Sequence, residues 1–252
     1  VTTATTRPDR TGTLHGRAVA AARRRLQRYL LRTAVWFWAG WGLLVLSVPV
    51  VVDRFGGEAD GLTYDAAGSP ARWPAFAVGI ILTAALLGTH LAAGGTRRSL
   101  VEGFARGAVV GGLVFGVLTV VLGLVEAQVY SALDRPYQGA GGLPLDSVAG
   151  VAATVVTQTF VIVTYVLVGA AVQGGYRRWG PWRGTLAVVP LLVPGALADL
   201  ASRSGIFAIP LRDTPVDSLP GLVLAVVGTL LAAALAGVVA HGVLRHARPR
   251  PS

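Results

Sequence analysis

The residues able to do chemistry are few, and their spacing limits them further. The four histidines are His15, His90, His241 and His246. None belongs to an H-E-x-x-H pattern, which sets two metal ligands and a general base on one helix face. No G-x-S-x-G elbow presents a serine nucleophile. The chain has no Cys, which removes thiolate catalysis, disulfides and cysteine-held metals together. It also has no Lys: all 22 basic residues are Arg. A phosphate-gripping loop of the form G-x-x-x-x-G-K-[ST] needs its Lys on the phosphates. These residues therefore hold no nucleotide-hydrolysing engine of that kind. The expectation is a protein that is not an enzyme, with no cofactor or metal in this chain.

Two weaker groupings remain. Glu102 and Arg106 lie at i,i+4 without the histidine motif that a metal protease would add. Within residues 148–172, Thr154, Thr157, Gln158, Thr164 and Tyr165 are separated by three, four and seven positions, so several share a helix face. Polar side chains in lipid commonly bond across helices, for about 0.6–2 kcal/mol each. Interhelical bonding is the plainer reading of this face. Thr154, Gln158 and Tyr165 are the candidates for lining a translocation path.

The elements that must carry these residues are apolar. Mean hydropathy is +0.62, and charged residues make up only 13% of the chain. Six runs approach the ~20 residues that a helix needs to cross a bilayer: 33–52, 74–93, 107–126, 148–172, 184–200 and 220–243. The fifth is short and contains Pro190 and Pro194, which membrane helices tolerate where neighbours satisfy the freed carbonyls. The expected fold is all-α and polytopic, with six transmembrane helices. Its parts are a basic leader (1–32), the transmembrane domain (33–243) and a basic tail (244–252).

Charge orients this fold. With six spans, the N-terminus, the loops near 94–106 and 173–183, and the C-terminus share one side. That side holds 17 Arg and two acids, Asp9 and Glu102, whereas the other holds five Arg and ten acids. Arginine excess marks the cytoplasm, so both termini are expected inside. The high pI thus reports topology. Aromatic residues do not interleave with the arginines as in a nucleic-acid module, and no nucleic-acid partner is expected. A bias to Arg, Ala, Val and Gly without Lys suggests a bacterial protein of the inner membrane.

The leader is too long and too basic for a signal peptide. Residues 1–13 are expected to be disordered. Beyond them Val19, Ala22, Leu26, Tyr29 and Leu30 recur at helical spacing, with Arg23, Arg24, Arg25, Arg28 and Arg32 largely on the other side. This predicts an amphipathic interfacial helix lying on anionic lipid. Gly103, Gly107, Gly111, Gly112 and Gly116 give the third span a close-packing surface, as do Gly228, Ala232, Ala233 and Gly237 in the sixth. Spacing leaves open whether these surfaces meet within one chain or between copies. Glu126 ends the third span at a depth that fits a solvated carboxylate. The outer connections (53–73, 127–146 and 201–219) are too short for a receptor domain.

Residues 94–107 read GGTRRSLVEGFARG. Arg97 and Arg98 suit a positive-inside anchor, and Ser99-x-x-Glu102 fits a capping box. Following a basic leader and two spans, this segment resembles the membrane subunits of type-two ABC exporters, which often carry G-x-[ST]-R-[RK] before their third span. The resemblance implies a homo- or heterodimer of six-span subunits forming a translocation path, powered by a separate ATPase. It places Gly94 or Gly95 at the turn, Thr96-Arg97-Arg98 in the basic motif and Ser99 to Phe104 in the ATPase-facing turn. Arg97, Arg98 and Glu102 become coupling candidates. One departure is the connection RSGIFAIPLRDTPVDSLP, from which no pair of re-entrant helices can be read. The expected function is a permease subunit of an ABC-type exporter. The alternative is a non-enzymatic membrane scaffold or regulatory partner built on the small-residue surfaces.

Overall fold

The computed structural model describes residues 10–55, 70–134, 143–207 and 218–247. Every long element among them is an α-helix: α1 (Arg10–Arg54), α2 (Arg72–Ala92), α3 (Arg97–Ala132), α4 (Val148–Leu191), α5 (Val193–Ser202) and α6 (Leu219–Leu244). Five helical stretches are long and apolar enough to cross a membrane: Thr13–Arg54, α2, α3, Val148–Ser202 and α6. The protein is a membrane-embedded helical bundle. Expectations for the first nine residues, for residues 56–69, 135–142 and 208–217 of the outer connections and for the tail from residue 248 lie outside the described residues.

Hydroxyl caps start three of the helices. Ser147 accepts a hydrogen bond from the Gly150 N–H at α4, and Ser218 does the same for Gly221 at α6. At α3 the cap falls earlier than the expected Ser99-x-x-Glu102 box. Thr96 is the cap: its Oγ1 accepts from the Ser99 N–H at 3.1 Å, while Ser99 Oγ accepts from the Thr96 N–H at 3.0 Å. A cap residue needs non-helical backbone. Thr96 is the last extended residue (φ −107°, ψ 158°), after a turn made by Gly94 in the left-handed region, and Arg97 already belongs to the helix.

The leader departs most from expectation. It is not a separate helix lying on the bilayer. It is the first half of α1, a single helix of 45 residues, about 67 Å long at 1.5 Å per residue. No proline interrupts it before Pro49. Val19, Ala22, Leu26 and Leu30 are buried, and their partners are the glycines of α3. A Cβ on Gly103 would meet Ala22 Cβ at 2.5 Å, one on Gly107 would meet Leu26 at 3.0 Å, and one on Gly111 would meet Leu30 at 2.8 Å. The apolar face that would have entered lipid is spent on α3. Tyr29, counted with that face, is instead half exposed.

These contacts also fix direction. Position numbers rise together along the seam between α1 and α3, so the two helices are parallel. Gly112 approaches Thr159 and Gly116 approaches Val155, which makes α4 antiparallel to α3. Gly79 and Gly169 let α2 and α4 cross with backbones touching: a Cβ on either would run into the other helix's carbonyl oxygen. With Trp73 on Tyr165 and Arg177 bonded to the Ala84 carbonyl, α2 runs parallel to α4. Contact of Gly174 with Leu244, and of Gly237 with Leu167, makes α6 parallel to α4 as well. The most apolar part of α4 is largely enclosed, whereas that of α1 is mostly open. The central column is α4.

After residue 179 the chain turns back. Gly180 adopts φ 77° and ψ −179°, inside what is otherwise continuous helix, and Pro181 follows. The returning arm pairs Tyr176 with Thr185 at 3.2 Å, sets Leu191 on Gly175 and brings Asp199 to Tyr165. One partner ascends as the other descends, so Val148–Ser202 is an antiparallel hairpin. Its second arm is interrupted at Leu192, before Pro194, and continues as α5.

Candidate functional site

The densest polar cluster lies where the start of α2, the middle of α4 and the end of α5 converge. Arg72 opens α2 and Asp199 lies in the last turn of α5; each is about 1% exposed. Each also opposes its own helix. A cation near a helix N-terminus and an anion near a C-terminus both work against the peptide dipoles. Only mutual pairing makes these positions tolerable. Arg72 Nη1 donates to Asp199 Oδ1 and, at 3.0 Å, to the Ser204 carbonyl, while Nη2 reaches Ser204 Oγ at 3.0 Å.

Tyr165 completes the carboxylate's shell. Its hydroxyl lies 3.1 Å from both oxygens of Asp199 and donates to them. The Arg72 guanidinium carbon sits 5.5 Å from the centre of the Tyr165 ring, and Trp73 meets that ring edge-on at 5.8 Å. Ser202 Oγ is 2.8 Å from Ser204 Oγ, to which Gln158 Nε2 also donates at 3.5 Å. The chain can make this turn because Arg203 caps α5 in the left-handed region and Gly205 follows at φ 91°. A Cβ on Gly205 would strike the Arg72 guanidinium and the Asp199 carboxylate. Glycine here satisfies both the backbone and the packing.

Burying two charges costs several kcal/mol per ion, and their attraction repays this only when the remaining hydrogen bonds are supplied. The serines, Tyr165 and Gln158 supply them. The arrangement can hold two elements together through charge and release them if the carboxylate is neutralised, since a guanidinium keeps its proton. Among the described residues no group of three or more His, Asp or Glu could hold a metal ion. A groove of about 300 Å³ between α4 and α6, lined by residues such as Ala152, Val156, Leu222 and Val226, offers no charged group.

The structure divides the sequence-derived candidates. Gln158 and Tyr165 enter the network. Thr154 stands one turn away and donates to its own helix at the Gly150 carbonyl, 2.8 Å away. Thr157 and Thr164 likewise bond within α4, to the carbonyls of Thr154 and Phe160. Glu126, expected to be solvated, is buried. Arg97, Arg98 and Glu102 all lie at the opposite end of the bundle but do not form one cluster. Arg97 Nη2 donates to the Ala247 carbonyl at 3.1 Å, tying α3 to the chain beyond α6. Glu102 accepts from His15 at 3.0 Å and from Arg106 at 2.6 Å. Arg98 is exposed, while Ser99, Leu100 and Phe104 are buried against neighbouring helices rather than presented outward.

Arg72 and Asp199 are absent from the sequence-derived candidates. Asp199 carried a usable signal, being the acid inside the apolar run 184–200, where an ionisable group calls for a partner. Arg72 looks like an ordinary residue of an outer connection, and 127 positions separate it from Asp199. Comparison of the chain with protein-family models, curated proteins and solved structures finds no match.

Proposed function

We propose that the chain is the membrane-spanning permease subunit of an ABC-type exporter, worked by a separate ATPase, with the Arg72–Asp199 network as a gate in its path. The observation that carries this reading is the buried ion pair itself. Ionisable groups within membrane bundles are rare and characteristically mark substrate or ion pathways. This pair joins α2 to the far end of the returning arm, beyond the Gly180 reversal and the interruption at Leu192. Movement of the arm about those points opens and closes the contact. No covalent step is involved.

On this reading the returning arm is a further crossing, giving six in all. The arginine-rich end faces the cytoplasm of a bacterial inner membrane, and two such subunits enclose the path. Energy comes from outside the chain, because a P-loop lysine is lacking. The scaffold alternative depends on free small-residue surfaces. Gly103, Gly107 and Gly111 are used on α1, Gly112 and Gly116 on α4, and Gly228 on Ala201. That favours the permease.

The test is purification of the tagged chain from its native membranes, with mass spectrometry of what stays bound. The expected companion is an ATPase subunit carrying a P-loop peptide, whose ATP hydrolysis rises in the complex. A chain that arrives without such a subunit, under mild detergent and in nanodiscs alike, refutes the proposal.

A further inference from the structure

The coupling candidates drawn from residues 94–107 are largely occupied within the fold, whereas a different row of arginines is not. Arg17, Arg24 and Arg28 follow one another at i, i+7 and i+11 along α1, a single row on a helix. The row lies opposite Val19, Ala22, Leu26 and Leu30, the residues packed on α3. All three arginines are exposed, and among the described residues none is paired with a carboxylate. The row spans about 16 Å at 1.5 Å per residue.

Its height above the bilayer decides what it can meet. The apolar part of α1 begins near Thr33, and the headgroup layer adds about 6 Å per leaflet. Along a helix near the membrane normal, Arg28 stands about 7 Å from that boundary, Arg24 about 13 Å and Arg17 about 24 Å. A tilt of about 20° shortens these heights by only about 6%. The helix cannot lie down to bring the row onto lipid, because its apolar face is held on α3 through Gly103, Gly107 and Gly111. His15 adds a 3.0 Å contact to Glu102 near the helix start.

We infer that Arg17, Arg24 and Arg28 form a docking strip for an acidic face of a soluble protein, which on the permease reading is the ATPase subunit. The inference rests on that reading and moves the main contact from the 94–107 segment to the upright first half of α1. Complementary charge on the partner both steers the encounter and sets its orientation. Arg32, nearer the membrane, is left to the headgroups.

The test compares two charge reversals of equal size at the same end of the bundle. Arg17→Glu/Arg24→Glu/Arg28→Glu is expected to reduce the ATPase retained on the purified chain about tenfold or more, with thermal unfolding unchanged. Arg178→Glu/Arg183→Glu/Arg245→Glu is expected to reduce it far less. Equal loss from both variants, or loss from neither, overturns the strip while leaving the permease reading intact. A wild-type chain that retains no ATPase overturns both.

A second measurement separates protein from lipid as the partner. Ala21→Cys, on the same face, supplies the sole thiol for a polarity-sensitive fluorophore. Its emission is expected to be the same in nanodiscs with and without phosphatidylglycerol. A blue shift with the anionic lipid assigns the row to headgroups instead and overturns the inference.

Discussion

Arg72 and Asp199 stabilise each other at positions where each alone would be a defect. Removing one partner leaves a buried charge set against its own helix dipole and surrounded by donors or acceptors oriented for the missing group. Asp199→Ala and Arg72→Ala are each expected to cost about 3–5 kcal/mol, the range for breaking a buried pair. The double replacement Arg72→Met/Asp199→Leu removes both charges at similar bulk and is expected to recover most of that loss. Thermal unfolding in detergent measures the stabilities, and, on the permease reading proposed above, transport by the reconstituted complex tests the gate. A gate loses transport in the double variant although the fold is restored. A purely structural clamp regains both. Single variants as stable as wild type would show that Arg72 and Asp199 do not form a buried pair.

At the scale of elements, the seam between α1 and α3 holds the leader upright. Periodicity makes both halves of it legible in the sequence: Gly103, Gly107 and Gly111 on one helix, Val19, Ala22, Leu26 and Leu30 on the other. It does not make the match legible, because an apolar stripe suits lipid and a glycine-lined helix equally well. Only contact across the fold distinguishes them. The cap of α3 fails as a sequence reading for a local reason: Thr96 and Ser99 can both start a helix, and the glycine turn before Thr96 selects the earlier one. Gly103→Leu tests the seam. Its side chain has no room beside Ala22 and the Val19 carbonyl, so α1 must part from α3 below the membrane. The expected result is faster tryptic cleavage at Arg23 to Arg25 in nanodiscs, with the membrane-embedded fragments still protected. Gly16→Ala, at a glycine with open space around it, is expected to cleave at the wild-type rate. Equal cleavage of all three proteins would mean that the seam does not hold the leader.

For the whole molecule, the number of crossings turns on the hairpin arm, and the sequence and the contacts inform it differently. The apolar run 184–200 is visible in composition, but its prolines make it look marginal. The reversal at Gly180 depends on a backbone angle that no hydrophobic pattern encodes. Once that reversal is made, helical stretches consecutive along the chain alternate in direction: α1, α3 and the returning arm run one way, and α2, α4 up to residue 179, and α6 run the other. The exposed arginines of the first half of α1, of the start of α3 and of the hairpin tip then collect at one end, as expected for a cytoplasmic face. Single cysteines in this cysteine-free chain, probed with a membrane-impermeant maleimide on intact and permeabilised cells, test the arrangement. Phe55, Trp182 and Leu219 are all well exposed, so their replacement leaves the core untouched. Phe55→Cys and Leu219→Cys are expected to react in intact cells, and Trp182→Cys only after permeabilisation. The decisive comparison is between Trp182 and Leu219, which bracket the returning arm. Opposite sides require that the arm cross the membrane, whereas the same side would leave it as a hairpin held within one leaflet and reduce the crossings to five.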